Sequence, residues 1–572
     1  MTLCKHFTRA TLSRFNSTRN LVHLANSLQV EPVIGLEVHA QLNINTKLFS
    51  RGANSHDAPP NTQLDLFDVS LPGTLPQLNS RAVKTAILAG LGLNCEIQNV
   101  IHFDRKNYFY SDMPSGYQIT QYTSPIAKDG YVDFIVSDYN SSSIAHTQPY
   151  DVIKYLFPRS SNSSERSFAP YIKRSHISQI QLEQDSAKTL SQVCTGGYEL
   201  NSLVDYNRSG CALIEIVFQP DLCNPHEASS LVRELSHILR TLSICSCELQ
   251  EGTLRVDANV SIKRIGDQLM DPQSAKRVEL KNLNSLRALN RGLYSEIRRQ
   301  TDELLLNKCI VQESRSYSSK LDQTRPLRLK ADSTDYRYMP EPSLPPLAID
   351  LGLIEEMSIA LDEPSLPKRV RELLEDKYNL NRLLIVELIG EPGLSRYFLQ
   401  IMENNETRKK PYDPDTVADF LIYAVANLKS IQISPIRVDL TDEDDFLKRL
   451  SVEKMQTIFD MLFNDEISFI NALEIMRNML VNDVEATPER LVDELNLRTI
   501  NDDEEISRAC SNILAKMKNI SKKYRKTGDI RYLRMMLDKM NELHHGRLSF
   551  RKAIKFFENA RQEYELSKKI KT

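Results

Sequence analysis

The spacing of apolar residues changes once along this chain. From about residue 30 to about 350 they fall in short alternating or continuous runs separated by Gly, Pro, Asn and Ser, the texture of strands and turns. In Leu36-Glu-Val-His-Ala-Gln-Leu42 the alternation puts Glu37, His39 and Gln41 on one face of a strand and Leu36, Val38, Ala40 and Leu42 on the other. The same period returns in Gln179-Ile-Gln-Leu-Glu183, which aligns Gln179, Gln181 and Glu183. It returns again in Leu254-Arg-Val-Asp-Ala-Asn-Val-Ser-Ile262, which aligns Arg255, Asp257, Asn259 and Ser261. Beyond about 350 the period becomes helical, after a Pro-rich stretch from Pro340 to Pro346 and a helix-start segment from Asp362 to Pro367. The stripes Val417, Leu421 and Leu428, then Val452, Met455, Phe459 and Leu462, then Ile506, Cys510, Ile513 and Met517 read as helix-bundle core. The acidic run Asp442 to Asp445 reads as a solvated helix start, and Ser141 to Ser143 and Ser160 to Ser167 as polar surface loops. The expected fold class is α+β, a β-rich domain followed by helices.

A polar strand face is ordinarily the wet side of an antiparallel sheet. Glu215 breaks that reading. It lies inside Ala212-Leu-Ile-Glu-Ile-Val-Phe218, where both faces are apolar, so its carboxylate is expected to be substantially buried. An unpaired buried charge costs on the order of several kcal/mol, so it needs a cation, a hydrogen-bonded partner or a bound proton. A metal ion shared by Glu37, His39, Glu183 and Glu215 is one solution, and a structural Arg–Glu pair is another. Three carboxylates and an imidazole suit a divalent ion. Mg²⁺ prefers oxygen, and the histidine favours Mn²⁺ or Zn²⁺ unless it stands behind the ligands.

The charge balance, 72 basic against 75 acidic residues, leaves −3, so no field of the whole chain recruits nucleic acid. Local segregation exists: residues 516–572 carry 17 Lys/Arg against 6 Asp/Glu. Basic and aromatic residues interleave from His102 to Asp112, a composition that presents cations to phosphate and rings to bases. There is no Walker A pattern, no GxGxxG after a strand and no HExxH, so any nucleotide is bound without a P-loop. The nine cysteines show no CxxC spacing and read as reduced thiols. No apolar run approaches the roughly 20 residues that span a bilayer, so no integral membrane segment is expected. From Met1 to Val30 there is no acidic residue, while Lys5, Arg9, Arg14 and Arg19 punctuate a Ser- and Thr-rich stretch. That composition is typical of a mitochondrial transit peptide.

Six longer motifs occur in order: Val33-Ile-Gly-Leu-Glu-Val-His-Ala-Gln-Leu42, Phe103-Asp-Arg-Lys-Asn-Tyr-Phe-Tyr110, Leu213-Ile-Glu-Ile-Val217, Glu251-Gly-Thr-Leu-Arg-Val-Asp-Ala-Asn-Val-Ser261, Glu279-Leu-Lys-Asn-Leu-Asn-Ser285 and Asp335-Tyr-Arg-Tyr-Met-Pro-Glu-Pro342. Together they resemble the B-subunit family of the glutamyl-tRNA(Gln)/aspartyl-tRNA(Asn) amidotransferases, over roughly residues 33–345. The helical remainder resembles that family's helical domain and YqeY-like tail in texture and order. The resemblance implies a transit peptide over 1–30, a cradle-shaped catalytic domain over 31–350, a helical domain over 351–435 and a YqeY-like helical tail over 436–572 that meets the tRNA body.

The implied activity is ATP-dependent. The side chain of Glu misacylated onto tRNA(Gln) is phosphorylated, and ammonia from glutamine displaces the phosphate to give Gln-tRNA(Gln). Phosphoryl transfer needs metal and positioned cations more than covalent chemistry, which agrees with the residues above. By resemblance Glu37, His39, Glu183 and Glu215 form the catalytic metal site. Lys106, Arg255, Asp257, Lys281 and Asn282 lie in matching motifs, facing ATP or the acceptor end. Gln184 departs from the family's Glu-Glu-Asp at its second position, putting one ligand or outer charge in doubt. The tail, from Tyr524 to Phe550, keeps Gly528 and basic residues but not the family's closing Asn-Pro wording. With no amidase Ser-Ser-Lys signature, the chain implies an amidase A subunit as partner, with a small third subunit that a different protein replaces in fungal mitochondria. The implied cofactors are ATP and Mg²⁺, with Mn²⁺ or Zn²⁺ as alternatives, and the implied place is the mitochondrial matrix. A non-catalytic tRNA-binding scaffold and an independent metal-dependent phosphohydrolase remain open; the joint presence of Glu37, His39, Glu183 and Glu215 favours the catalytic subunit over the scaffold, and the long helical tail and lack of a substrate-loop signature count against the phosphohydrolase.

Overall fold

The computed structural model describes residues 30–55, 58–137, 169–193, 200–264, 277–306, 308–329, 336–361, 365–391, 393–406, 408, 410–430, 450–481 and 486–569. Residues 1–29 of the transit-peptide segment, the two serine-containing loops, the acidic run Asp442 to Asp445 and residues 362–364 of the helix-start segment lie outside the described residues. The chain forms two compact units that divide between Leu373 and Leu374.

The first unit is built on a nine-stranded sheet. Its order runs Gln323–Leu329, Glu313–Ser318, Val278–Lys281, Leu254–Arg264, Val30–Gln41, Ala212–Phe218, Tyr171–Gln184, Ala127–Val136 and Glu96–Ile97. Neighbours are antiparallel except Val278–Lys281 and Glu313–Ser318, which run parallel. Register decides which side chains meet. His39 sits opposite Glu215 on one side and Arg255 on the other, Glu37 sits opposite Asp257, and Glu215 sits opposite Gln181. Opposed residues share a face, so the alternation read in each strand merges into one polar face. Leu36, Val38, Ala40, Ile180, Leu182, Ile214, Ile216, Val256 and Ala258 fill the other, each at most 2% exposed.

The stretch before residue 350 is not strand throughout. Ser80–Gly92, Pro225–Thr241 and Leu286–Leu305 are helices, and the latter two pack on the sheet's apolar face. Each opens on a side-chain cap. Asn79 accepts from the Arg81 N–H at 2.9 Å, Asn224 from Glu227 N–H at 2.9 Å with Pro225 next in line, and Ser285 from Ala288 N–H at 3.0 Å. Leu231, Leu235 and Ile238, and Leu289, Leu293 and Ile297, then recur at helical spacing and are buried. The α+β class holds, with helices inside the β-rich half as well as after it.

A second, three-stranded sheet joins Met339–Pro340, Asp104–Asn107 and Tyr117–Thr120. It is stitched to the large sheet through polar side chains. Gln121 Oε1 accepts from the Leu182 N–H at 2.9 Å, and Gln181 Nε2 donates to Thr120 Oγ1 at 3.4 Å.

The described elements of the second unit are helices. Its stripes are core, as their spacing predicts: Val417, Leu421, Met455, Phe459, Ile506, Cys510 and Ile513 are buried. In the basic tail, helix Lys518–Thr527 buries Ser521 and Tyr524 while Lys522, Lys523 and Lys526 are exposed. Among the described residues, no helix is long and apolar enough to cross a membrane, and the cysteines are free thiols.

Candidate active site

Three neighbouring strands of the large sheet converge their ligating atoms on the polar face. His39, Glu183 and Glu215 each offer one such atom, and these lie within 4.8 Å of one another. His39 Nε2 stands 3.7 Å from Glu215 Oε2, and the two side chains are 19% and 12% exposed. The remaining polar contacts orient the carboxylates. Gln181 donates to Glu215, and Gln118 Nε2 donates to Glu183 Oε1 and to the Gln184 carbonyl. The second oxygen, Glu183 Oε2, is buried with no hydrogen-bond partner among the described residues.

Burial pushes the Glu183 carboxyl above the usual carboxylate range, with Lys106 opposing and Glu215 adding to the rise. Burial does the same to Glu215, again opposed by Lys106 and reinforced by Glu37. Burial also holds the His39 imidazole below its ordinary value, so it is a neutral nitrogen donor. Two carboxylates resisting charge, one orphaned oxygen and a neutral imidazole are a donor set that a divalent cation fits.

Lys106 reaches this group from the small sheet. Its register partner there is Gln118, the residue bonded to Glu183. Burial disfavours its ammonium, yet Glu183 and Glu215 outweigh that and raise its pKa above the ordinary lysine value.

The other expected residues are placed differently. Glu37 lies on the same face but outside the three-residue group, its Oε1 accepting from Asn259 Nδ2 at 2.9 Å. Arg255 is committed to Asp185, at 2.5 Å. Lys281 pairs with Asp257 at 2.9 Å and with Glu279 at 3.0 Å. Asn282 follows that strand, exposed and at a φ of 62°. No arginine pairs with Glu215 within the salt-bridge contacts of the described residues; its neighbours are His39 and Gln181.

Gln184 falls on the opposite side of its strand from Glu183. Its Nε2 faces Met113 Sδ at 3.8 Å, and it lines a cavity of about 240 Å³ with Phe67, Ser115, Tyr117 and Ser209. The departure at that position therefore leaves the charge of the three-residue group intact. Asp185, unremarked in the sequence, is 2% exposed and sits between Arg255 and Arg208, the latter at 3.6 Å.

The fold is a mixed-sheet unit carrying a donor group that a divalent cation fits, followed by a helical region, and comparison with known proteins names the class. The profile described as the GatB/GatE catalytic domain matches residues 32–355, and that described as the GatB domain matches residues 407–551. The chain belongs to the GatB family. It is 35% identical over 503 residues to the mitochondrial glutamyl-tRNA(Gln) amidotransferase B subunit of Drosophila melanogaster, covering 86% of this chain and 88% of that one. It is 34% identical over 493 residues to the Homo sapiens protein of the same name, covering 84% and 80%. With the aspartyl/glutamyl-tRNA(Asn/Gln) amidotransferase B subunit of Rickettsia typhi it shares 33% identity over 446 residues, covering 77% and 82%.

Proposed function

We propose that this chain is the transamidating B subunit of a mitochondrial glutamyl-tRNA(Gln) amidotransferase, working in the matrix. Its polar sheet face is where the side-chain carboxylate of Glu on tRNA(Gln) is phosphorylated by ATP and then amidated. The observation that carries this reading is the juxtaposition of His39, Glu183 and Glu215 with Lys106 above them.

A carboxylate is a poor acyl donor until one oxygen becomes a leaving group. Its oxygen takes the γ-phosphoryl group and ADP departs; ammonia then attacks the carbonyl carbon and phosphate leaves. Charge on the transferred group must be met by positioned cations. Lys106 supplies one, kept protonated by Glu183 and Glu215. Arg255 is held in one orientation by Asp185, and Lys281 by Asp257. His39, Glu183 and Glu215 would hold a divalent ion, Mg²⁺ or Mn²⁺, which neutralises phosphate charge when bound. Glu37 would stand beside it.

The ammonia comes from a glutamine-hydrolysing A subunit, and a small third subunit completes the complex. The division into leader, catalytic domain to about residue 350, helical domain to about 435 and tail is part of the same reading, with the basic tail meeting the tRNA body. The test is ATP hydrolysis by the purified complex with and without Glu-tRNA(Gln), following glutaminase activity separately. Hydrolysis should require the charged tRNA, and Glu37→Ala should lower it about 10–100-fold, the cost of losing a residue that supports a metal ligand set. Hydrolysis and Gln-tRNA(Gln) formation unchanged by this substitution would support the scaffold reading instead.

A further inference from the structure

A belt of tyrosine rings borders the three-residue group, and the mechanism above leaves it unused. Tyr122 lies parallel on Tyr338, with centroids 4.0 Å apart and planes 9° from parallel. Tyr338 meets Tyr336 at 6.1 Å, Tyr336 meets Tyr108 at 6.4 Å, and Lys106 Nζ sits 5.2 Å from the Tyr336 centroid. The outer ring, Tyr122, is 54% exposed, an unusual place for so much flat apolar surface.

Both halves of the stack are fixed by their backbones. Asp104 Oδ2 accepts from the Tyr122 N–H at 3.0 Å, the Thr123 N–H at 2.9 Å and the Thr123 hydroxyl at 2.8 Å. The Asn107 N–H donates to the Tyr336 carbonyl at 2.9 Å, and Asn107 Nδ2 donates to the Arg337 carbonyl at 2.7 Å. The rings are thus presented in place before anything binds, which lowers the ordering cost of a ligand.

We infer that the Tyr122–Tyr338 stack is the seat of the unpaired 3′-terminal base of the charged tRNA. The inference rests on the phosphorylating role proposed for the adjoining group. Glutamate is esterified to the terminal ribose, so with its side-chain carboxylate at the group, the terminal base is held off by the glutamyl residue and one ribose, a span that the shelf beside the group can meet. The adenine of ATP is separated from the reacting phosphorus by the ribose and the triphosphate chain. The shelf adjoins the group through Lys106, which lies against Tyr336 and whose register partner Gln118 is bonded to Glu183, so an unpaired base free to splay fits it, and the adenine of ATP is the competing occupant that the test separates. Stacking on tyrosine holds a splayed base without needing a partner strand.

The test uses the whole complex and uncharged tRNA(Gln) whose terminal adenine is replaced by 2-aminopurine, whose fluorescence is quenched by stacking. Wild type and Tyr122→Phe should quench the probe and bind the tRNA alike. Tyr122→Ala should lose the quench and bind about tenfold more weakly, with ATP affinity by equilibrium dialysis unchanged. Retained glutaminase activity shows that the variant complex is assembled. Unchanged quench and affinity in Tyr122→Ala overturn the inference. So does a loss of ATP affinity with tRNA binding intact, which would give the shelf to the nucleotide. Binding of uncharged tRNA needs no phosphorylation, so failure of the catalytic reading shows separately, as wild-type complex that binds and quenches but hydrolyses no ATP.

Discussion

A Glu183→Gln complex is expected to form Gln-tRNA(Gln) about two to three orders of magnitude more slowly than wild type, with glutaminase activity within about twofold. The substitution keeps the volume of the side chain and an acceptor for Gln118, and it removes one charge from the buried group. What is lost is the anionic ligand whose second oxygen has no hydrogen-bond partner among the described residues. Divalent-metal content of the purified complex should fall with the rate, because His39 and Glu215 alone are a poor site. A rate within about tenfold of wild type, or unchanged metal content, would remove Glu183 from the site. Single-turnover measurement of ADP release on mixing with Glu-tRNA(Gln) separates the phosphorylation step from the later attack by ammonia.

The second large effect concerns stability. Lys47 is fully buried, its ammonium 2.9 Å from Asp68 Oδ2 and 3.4 Å from the Tyr206 carbonyl. The pair is packed against two glycines: a Cβ at Gly52 would come within 2.6 Å of the Asp68 carboxylate, and one at Gly210, where φ is 80°, within 3.0 Å. Removing one partner strands the other charge away from water. Asp68→Asn should therefore destabilise the first unit by about 3–5 kcal/mol, lowering its thermal midpoint by about 10 °C. The paired change Lys47→Met with Asp68→Leu should recover most of that loss, because it removes both desolvation costs together. Thermal unfolding of the complex followed by circular dichroism checks both. A midpoint shift under about 2 °C in the single variant would mean that water reaches this pair.

How much of this was legible beforehand follows from what alternation can and cannot specify. A period of two assigns side chains to faces whatever the partners, so Glu37, His39, Glu183, Arg255 and Asp257 were placed on polar faces from sequence alone. Which faces merge depends on register between strands far apart in the chain, and no local pattern encodes that. Extending the alternation one step past Glu183 reaches Asp185, so that residue was within reach. Gln118 and Thr120 were not, because their strand is only four residues long and shows no alternation. Gln184 shows the opposite risk: in sequence it reads as a missing acid, whereas the pleat turns it away from the site. The three helices inside the β-rich half carried readable caps at Asn79, Asn224 and Ser285, yet the surrounding turn-forming residues masked their helical stripes. The helical second unit was plain because long stripes repeat without interruption.

The central position of Val30–Gln41 has a consequence for how the molecule comes into being. This strand is synthesised early, but its hydrogen-bonded neighbours are residues 212–218 and 254–264, more than 170 positions later. The small sheet closes only with Met339 and Pro340. A chain arriving N-terminus first must keep an apolar strand unpaired until most of the first unit has been delivered, a slow, non-local assembly of the sort that holding chaperones attend. Since His39, Glu183, Glu215 and Lys106 come from four separated segments, the site has no working precursor: it is born with the core and is lost with it.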